Sequence, residues 1–390
     1  MGHKHSGLPG DFLREAAEEC RDRGIRTLAY YSLCVDKRAW DENPAWRFED
    51  AEGNRCGEDT FWAPLCMNGP YKDELVMPQL AEIAQYPVDG FWLDIPLPAS
   101  DTGPCYCSHC RRKWQRELGV ELSDDLPLEM QSRLILRTVE DYLREVRAII
   151  EEHNPKLVVA TNAVGTPVMS LSVKNLCEIG VWESQPRPGD YLSHSYAART
   201  SRNDVCNVQV MSVRFYEGWG DLTLKPAAQM STEFAAMVGN GAPAVSGDQV
   251  RVDGTLQSPV YDMFDRSFGL VEEHEDVLRG AETVRHLGVL LPTPDPELPM
   301  HAAFTPEVRY SWHDAAPWRG THKMLVESHI QCDMIYSLLA GDMNRFPVVV
   351  LPEPPGYSEE MLRRFRHYVE AGGILVAVGN SLLNDGRFEL

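Results

Sequence analysis

Short apolar runs that end on a polar residue recur along this chain, and between them lie stretches with the apolar spacing of helices. The run Pro87-Val-Asp-Gly-Phe-Trp-Leu-Asp-Ile95 shows the pattern best. Val88, Phe91, Trp92, Leu93 and Ile95 predict a strand buried on both faces, as parallel strands are, bounded by Pro87 before it and Pro96 and Pro98 after it. Asp94 then stands at the strand's C-terminal end, which in barrels of alternating strands and helices is the end that carries chemistry. Other strands are predicted at Ile25 to Leu33, Lys156 to Asn162, Ile179 to Ser184, Val208 to Phe215 and Ala242 to Asp248. Helical spacing appears in residues 11 to 24, Tyr71 to Gln85, Glu129 to His153 and Lys225 to Gly239. Cys34 to Pro70 is too long for a plain connection and is expected to lie over the barrel mouth.

Six strands, each with helical sequence beside it, predict parallel pairing. A (β/α)8-type barrel has eight, so the expectation for residues 1–280 is an α/β barrel lacking its first two strands. Composition changes near Gly280. Strands at Leu287 to Pro292, Val348 to Pro352 and Gly373 to Val378, with helices at Thr321 to Asp333 and Ser358 to Glu370, predict a smaller doubly wound, flavodoxin-like domain over 281–390. It ends soon after its last strand with no closing helix, so it is expected to be truncated at its C-terminus.

The 58 acids against 37 bases give a net charge of −21, which disfavours phosphate backbones and anionic membrane surfaces. Nucleic acid and membranes are therefore not expected as partners. No apolar run approaches the roughly twenty residues of a membrane span, and Met-Gly-His-Lys-His at the start has no apolar signal core, so a cytoplasmic address is expected. No G-x-G-x-x-G or Walker pattern follows a strand and no G-x-S-x-G elbow occurs, so neither a nucleotide cofactor nor serine-hydrolase chemistry is expected.

VDGFWLDI, then PCYCSHCRRKW, then FPVVVLPEPPGYSEEMLRRFRHYVEAGGILVAVGN together resemble the hypothetical glycosyl hydrolase 6-like family. These are glycoside hydrolases in which a catalytic TIM-type barrel precedes a β-galactosidase-type trimerisation domain. The resemblance spans most of the chain, with VVVLP and AGGILVAVG its least ambiguous parts. The barrel resembles both the α-L-fucosidases, whose aspartate nucleophile follows a W-x-D strand, and bacterial β-galactosidases that share the cysteine cluster. Those β-galactosidases carry Asn-Glu where this chain has Leu93-Asp94, which favours the fucosidase-like arrangement. The resemblance implies a retaining glycosidase acting on a terminal fucose or galactose, assembled as a homotrimer whose smaller domains help wall neighbouring sites. A β-galactosidase and an inactive carbohydrate-binding or scaffold fragment are the alternatives.

Glycoside hydrolysis needs two carboxyl groups across the scissile bond. Asp94 is the first candidate, as nucleophile. The second is Glu183, the general acid, at the end of another short apolar run where Trp182 can desolvate it. A salt bridge from Glu183 to Arg187 or Arg214 is the competing reading. Asp248, ending Ala-Val-Ser-Gly-Asp, is expected to bind a sugar hydroxyl, and Glu217 and Asp221 are weaker candidates. Sugar rings present apolar faces and many hydroxyls, so Tyr30, Tyr31, Trp62, Asn68, Arg214 and Trp219 are the candidate binding residues. Of the adjacent Tyr30 and Tyr31 one must face the barrel interior, and Trp92 is expected in the core.

Cys105, Cys107 and Cys110 supply three ligands of a tetrahedral thiolate site. For the fourth, the resemblance implies Cys66, which matches a zinc-binding cysteine of those β-galactosidases; His109 is the alternative. Such a zinc would be structural, and a set of free thiols is the competing reading. No cofactor for catalysis is expected.

Overall fold

The structure is a computed structural model that describes residues 10–58, 62–96, 103–123, 125–166, 169–185, 190–216, 219–220, 223–251, 253–291, 316–336, 343–352 and 359–379. Six parallel strands follow one another in sequence and in space: β1 (Leu28–Ser32), β2 (Gly90–Asp94), β3 (Val158–Asn162), β4 (Ile179–Glu183), β5 (Asn207–Val213) and β6 (Ala244–Gly247). They form a curled sheet, a partial TIM-like barrel. Among the described residues β1 and β6 are its edges, where a closed barrel would have eight strands in a ring.

The register decides which residues meet. Tyr30 lies opposite Trp92, Ser32 opposite Asp94, and Leu93 opposite Thr161. Side chains alternate along each strand, so Tyr30, Trp92, Asp94, Asn162 and Glu183 share one face. The opposite face carries Ala29, Leu33, Phe91, Leu93 and Val159, packed on Leu80, Tyr142, Val146 and Ile150 of helices Met77–Ile83 and Leu128–His153. Burying each of the larger side chains stabilises by ~1.5–3 kcal/mol. Gly90 lets β2 start against β3, since a Cβ there would come within 2.1 Å of the Val158 carbonyl oxygen.

Local signals place the helices. Asp11 caps Phe12–Asp22 by accepting the Arg14 N–H at 3.3 Å. Gly119 ends Ser108–Leu118 in the left-handed region at φ 64°.

The second sheet has four parallel strands: β7 (Leu287–Leu291), β8 (Asp333–Tyr336), β9 (Val348–Leu351) and β10 (Ile374–Ala377). Their order, β8-β7-β9-β10, is the 2-1-3-4 arrangement of a doubly wound fold. The helix expected from Thr321 to Asp333 stops short, and β8, not among the expected strands, begins at Asp333. The helix instead occupies Ala316–Glu327, and His329 turns the chain at φ 58° before the strand begins. β8 also ties the two sheets together, because the buried Tyr336 hydroxyl donates to Asp204 at 2.8 Å and Lys174 pairs with the same carboxylate at 2.5 Å. Val289, Leu291 and Val350 complete an apolar core with Trp182, Val210, Met230 and Phe234 of the first sheet's layer.

Candidate active site

At the C-terminal ends of β1 to β4 the shared face gathers two acids and the side-chain donors Tyr30 and Asn162, and Trp219 from beyond β5 adds a third. Asp94 receives the Tyr30 hydroxyl on Oδ2 at 2.5 Å, and on Oδ1 the backbone N–H of Ile95 at 2.9 Å and the Asn162 amide at 2.8 Å. Glu183 receives Asn162 Nδ2 on Oε1 at 2.9 Å and the Trp219 indole N–H on Oε2 at 3.0 Å. One amide nitrogen thus touches both carboxylates. Oδ1 of Asp94 and Oε1 of Glu183 can be no farther apart than those two contacts laid end to end, about 5.7 Å.

The acids sit in different surroundings. Burial pushes the Glu183 carboxyl above its usual value; the Trp219 and Asn162 hydrogen bonds pull it back, and the Asp94 charge adds to the rise. Tyr30 is 61% exposed as a residue, but desolvation at its hydroxyl, the hydrogen bond to Asp94 and the two nearby carboxylates raise it well above the usual tyrosine value. It therefore stays a donor to Asp94. Trp92 stacks on the Tyr30 ring at 5.7 Å, with the planes 17° apart.

Backbone strain marks both turns. Ile95, immediately after Asp94, has φ 51°, and Ala163, immediately after Asn162, has φ 64°. A β-branched residue rarely occupies that region. Here the buried Cys34 thiol donates to the Ile95 carbonyl at 2.9 Å while Asp94 takes the Ile95 N–H.

Trp219 leans across Gly247 of β6, where a Cβ would come within 2.5 Å of its Cη2. Gly247→Ala is expected to push the indole off Glu183 and lower kcat/KM by about tenfold to a hundredfold. Steady-state assays beside a tryptophan fluorescence spectrum check this, and an unaltered kcat/KM would count against the contact.

The other sequence candidates distribute as follows. Tyr30 faces the acids, whereas Tyr31 points to the helices and donates to Gln79 at 2.6 Å. Trp92, expected in the core, is half-buried on the acids' face, stacked on Tyr30. Arg214 pairs with Asp248 and donates to the Thr223 carbonyl, so the described Arg214 ion pair is with Asp248 and not with Glu183. Trp62 is 53% exposed, close in sequence to the Val35–Pro64 bridge. Asn68 sits with the cysteines. Arg187, Glu217 and Asp221 lie outside the described residues. Asn162 was not among the expected residues; the sequence marks it only as the polar residue that ends the strand expected at Lys156 to Asn162.

A second cluster joins the loop after β1 to the start of helix Ser108–Leu118. The sulfurs of Cys66, Cys105, Cys107 and Cys110 are buried and all within 4.8 Å of one another, with Cys66 at 3.4 Å from Cys107 and 3.5 Å from Cys110. Zinc–sulfur bonds of about 2.3 Å imply sulfurs about 3.8 Å apart in a tetrahedron, so the four residues fit a metal of that kind. Sulfur–sulfur hydrogen bonds hold the Cys107 thiol far below its usual value and push Cys66 and Cys105 up. Asn68 donates to Cys110 Sγ at 3.3 Å, and its own carbonyl accepts from Lys113 at 2.9 Å, placing a cation one step from the thiolates. His109 is not in the cluster; its Nδ1 meets Arg112 at 3.2 Å.

Residues 1–95 match the family described as hypothetical glycosyl hydrolase 6. No curated protein matches the chain. Among solved structures it is similar to α-L-fucosidase isoenzyme 2 from Paenibacillus thiaminolyticus, with TM-score 0.82 and 24% identity, over 98% of this chain and 56% of that one. It is also similar to the β-galactosidase of the psychrophilic Marinomonas ef1 (TM-score 0.72, 14% identity, 95% and 69% covered) and to that of the haloarchaeon Halorubrum lacusprofundi (TM-score 0.71, 17% identity, 96% and 66% covered). These likenesses show a shared fold, and the chain spans little more than half the length of the fucosidase.

Proposed function

We propose that this chain forms the catalytic part of a retaining glycoside hydrolase acting on a terminal sugar in the manner of an α-L-fucosidase. The observation that carries the reading is the amide of Asn162 held between Asp94 and Glu183. A bound of about 5.7 Å between Asp94 Oδ1 and Glu183 Oε1 is compatible with the roughly 5–5.5 Å carboxyl separation of retaining enzymes. Asp94 attacks the anomeric carbon while Glu183, whose carboxyl burial pushes above its usual value, gives its proton to the leaving oxygen. Glu183 then takes a proton from the water that releases the sugar. Tyr30 and Trp92 present a stacked aromatic surface beside Asp94, suited to the apolar face of a sugar ring.

Cys66, Cys105, Cys107 and Cys110 would hold a structural zinc. Four thiolates leave no open position for water, so its role is to fix the loops it joins. The doubly wound domain would mediate a homotrimer, as the resemblance implies.

The test is release of nitrophenol from nitrophenyl α-L-fucoside and β-D-galactoside, with the first-formed anomer followed by proton NMR. Fucoside cleavage with retention is the expected result. Galactoside cleavage alone would favour a β-galactosidase, to which the cysteine cluster also points. Release from neither would favour a binding or scaffold fragment.

A further inference from the structure

The amide of Asn162 has a single orientation open to it. Ala163, in its left-handed turn, donates its backbone N–H to Asn162 Oδ1 at 2.7 Å. A backbone N–H is always a donor, so the atom facing it is the carbonyl oxygen and the NH2 lies on the other side. There its two hydrogens meet Asp94 Oδ1 and Glu183 Oε1, one each. Every polar atom of the side chain is used, and a flipped amide would set its oxygen against two carboxylates. We propose that Asn162 is a positioning residue whose two amide hydrogens hold Asp94 and Glu183 at one spacing and govern the pH at which Glu183 gives up its proton. This rests on the hydrolase reading above.

The groups around Glu183 settle the sign. Asp94 on β2 and Tyr30 on β1 are the titratable neighbours, while Asn162 on β3 and Trp219 beyond β5 are neutral donors. Burial and the Asp94 charge favour the protonated acid; the two donors favour its anion. Removing the Asn162 donor leaves the first pair less opposed, so the proton is held to higher pH. A residue that merely filled space would not move that midpoint.

The test is a titration of carboxyl-labelled protein by carbon-13 NMR, with the Glu183 signal assigned through Glu183→Gln. In Asn162→Ala the Glu183 midpoint is expected to rise by about one pH unit relative to the unmodified chain. The alkaline limb of kcat/KM should move with it, and kcat should fall more than KM rises. Should the alanine variant fail to fold, Asn162→Asp keeps the shape and the acceptor for Ala163 but exchanges the donor for a third acid, and a larger rise is expected. An unchanged Glu183 midpoint in a folded variant overturns the proposal. The titration needs no turnover, so an inactive chain would sink the hydrolase reading without deciding the role of Asn162.

Discussion

Asp94→Asn is expected to lower kcat by about four orders of magnitude while the fold stays intact. The asparagine carbonyl can still accept from Ile95 and Asn162, and the Tyr30 hydroxyl can turn to accept from the new amide, so the hydrogen bonds survive in kind. What is lost is the nucleophile of the proposed mechanism. Glu183→Gln should cost less, about a hundredfold to ten-thousandfold, and least with aryl leaving groups that need no proton. Added azide separates the two roles, because it can replace either missing group and the configuration of the glycosyl azide reports which one. Retained product from the Glu183 variant and inverted product from the Asp94 variant are expected. Full activity in Asp94→Asn would end the assignment.

The second large effect lies at the cysteines. Cys107→Ser is expected to abolish metal retention and to destabilise the fold by about 3 kcal/mol or more, since a bound structural metal contributes its binding energy to folding. Elemental analysis of the purified chain should find one zinc per polypeptide, and thermal unfolding with and without chelator should show the loss. Cys20→Ser, outside the cluster, should change neither measurement. A metal-free chain unaffected by Cys107→Ser would favour free thiols.

The strand-end acids were legible because a buried parallel strand reads as an unbroken apolar run, and a charge at its end breaks the pattern visibly. Asp94 and Glu183 both stood out for that reason, and the structure brings them together. Asn162 carried no such flag. An amide at a strand end becomes chemically meaningful only once the register sets it between two acids, and register is not written in composition. Trp92 was expected in the core and is only half-buried, because in a strand apolar on both sides alternation gives no hint of which face is interior. β8 escaped because Asp-Met-Ile-Tyr is only four residues long and follows a helix closely. Asn68 was read as a sugar ligand from its polarity alone, whereas its position two residues after Cys66 already put it beside sulfur.

The polar row at the mouth runs without a break from Tyr30 through Asp94, Asn162 and Glu183 to Trp219, and its first four members come from four successive strands. A slip between any neighbouring two opens a gap in the middle of the row long before enough backbone has melted to alter a circular dichroism spectrum. If the chain is the hydrolase proposed, turnover is the finer gauge of whether these strands are aligned: under mild denaturant, catalysis is expected to fade while the bulk of the molecule still looks native.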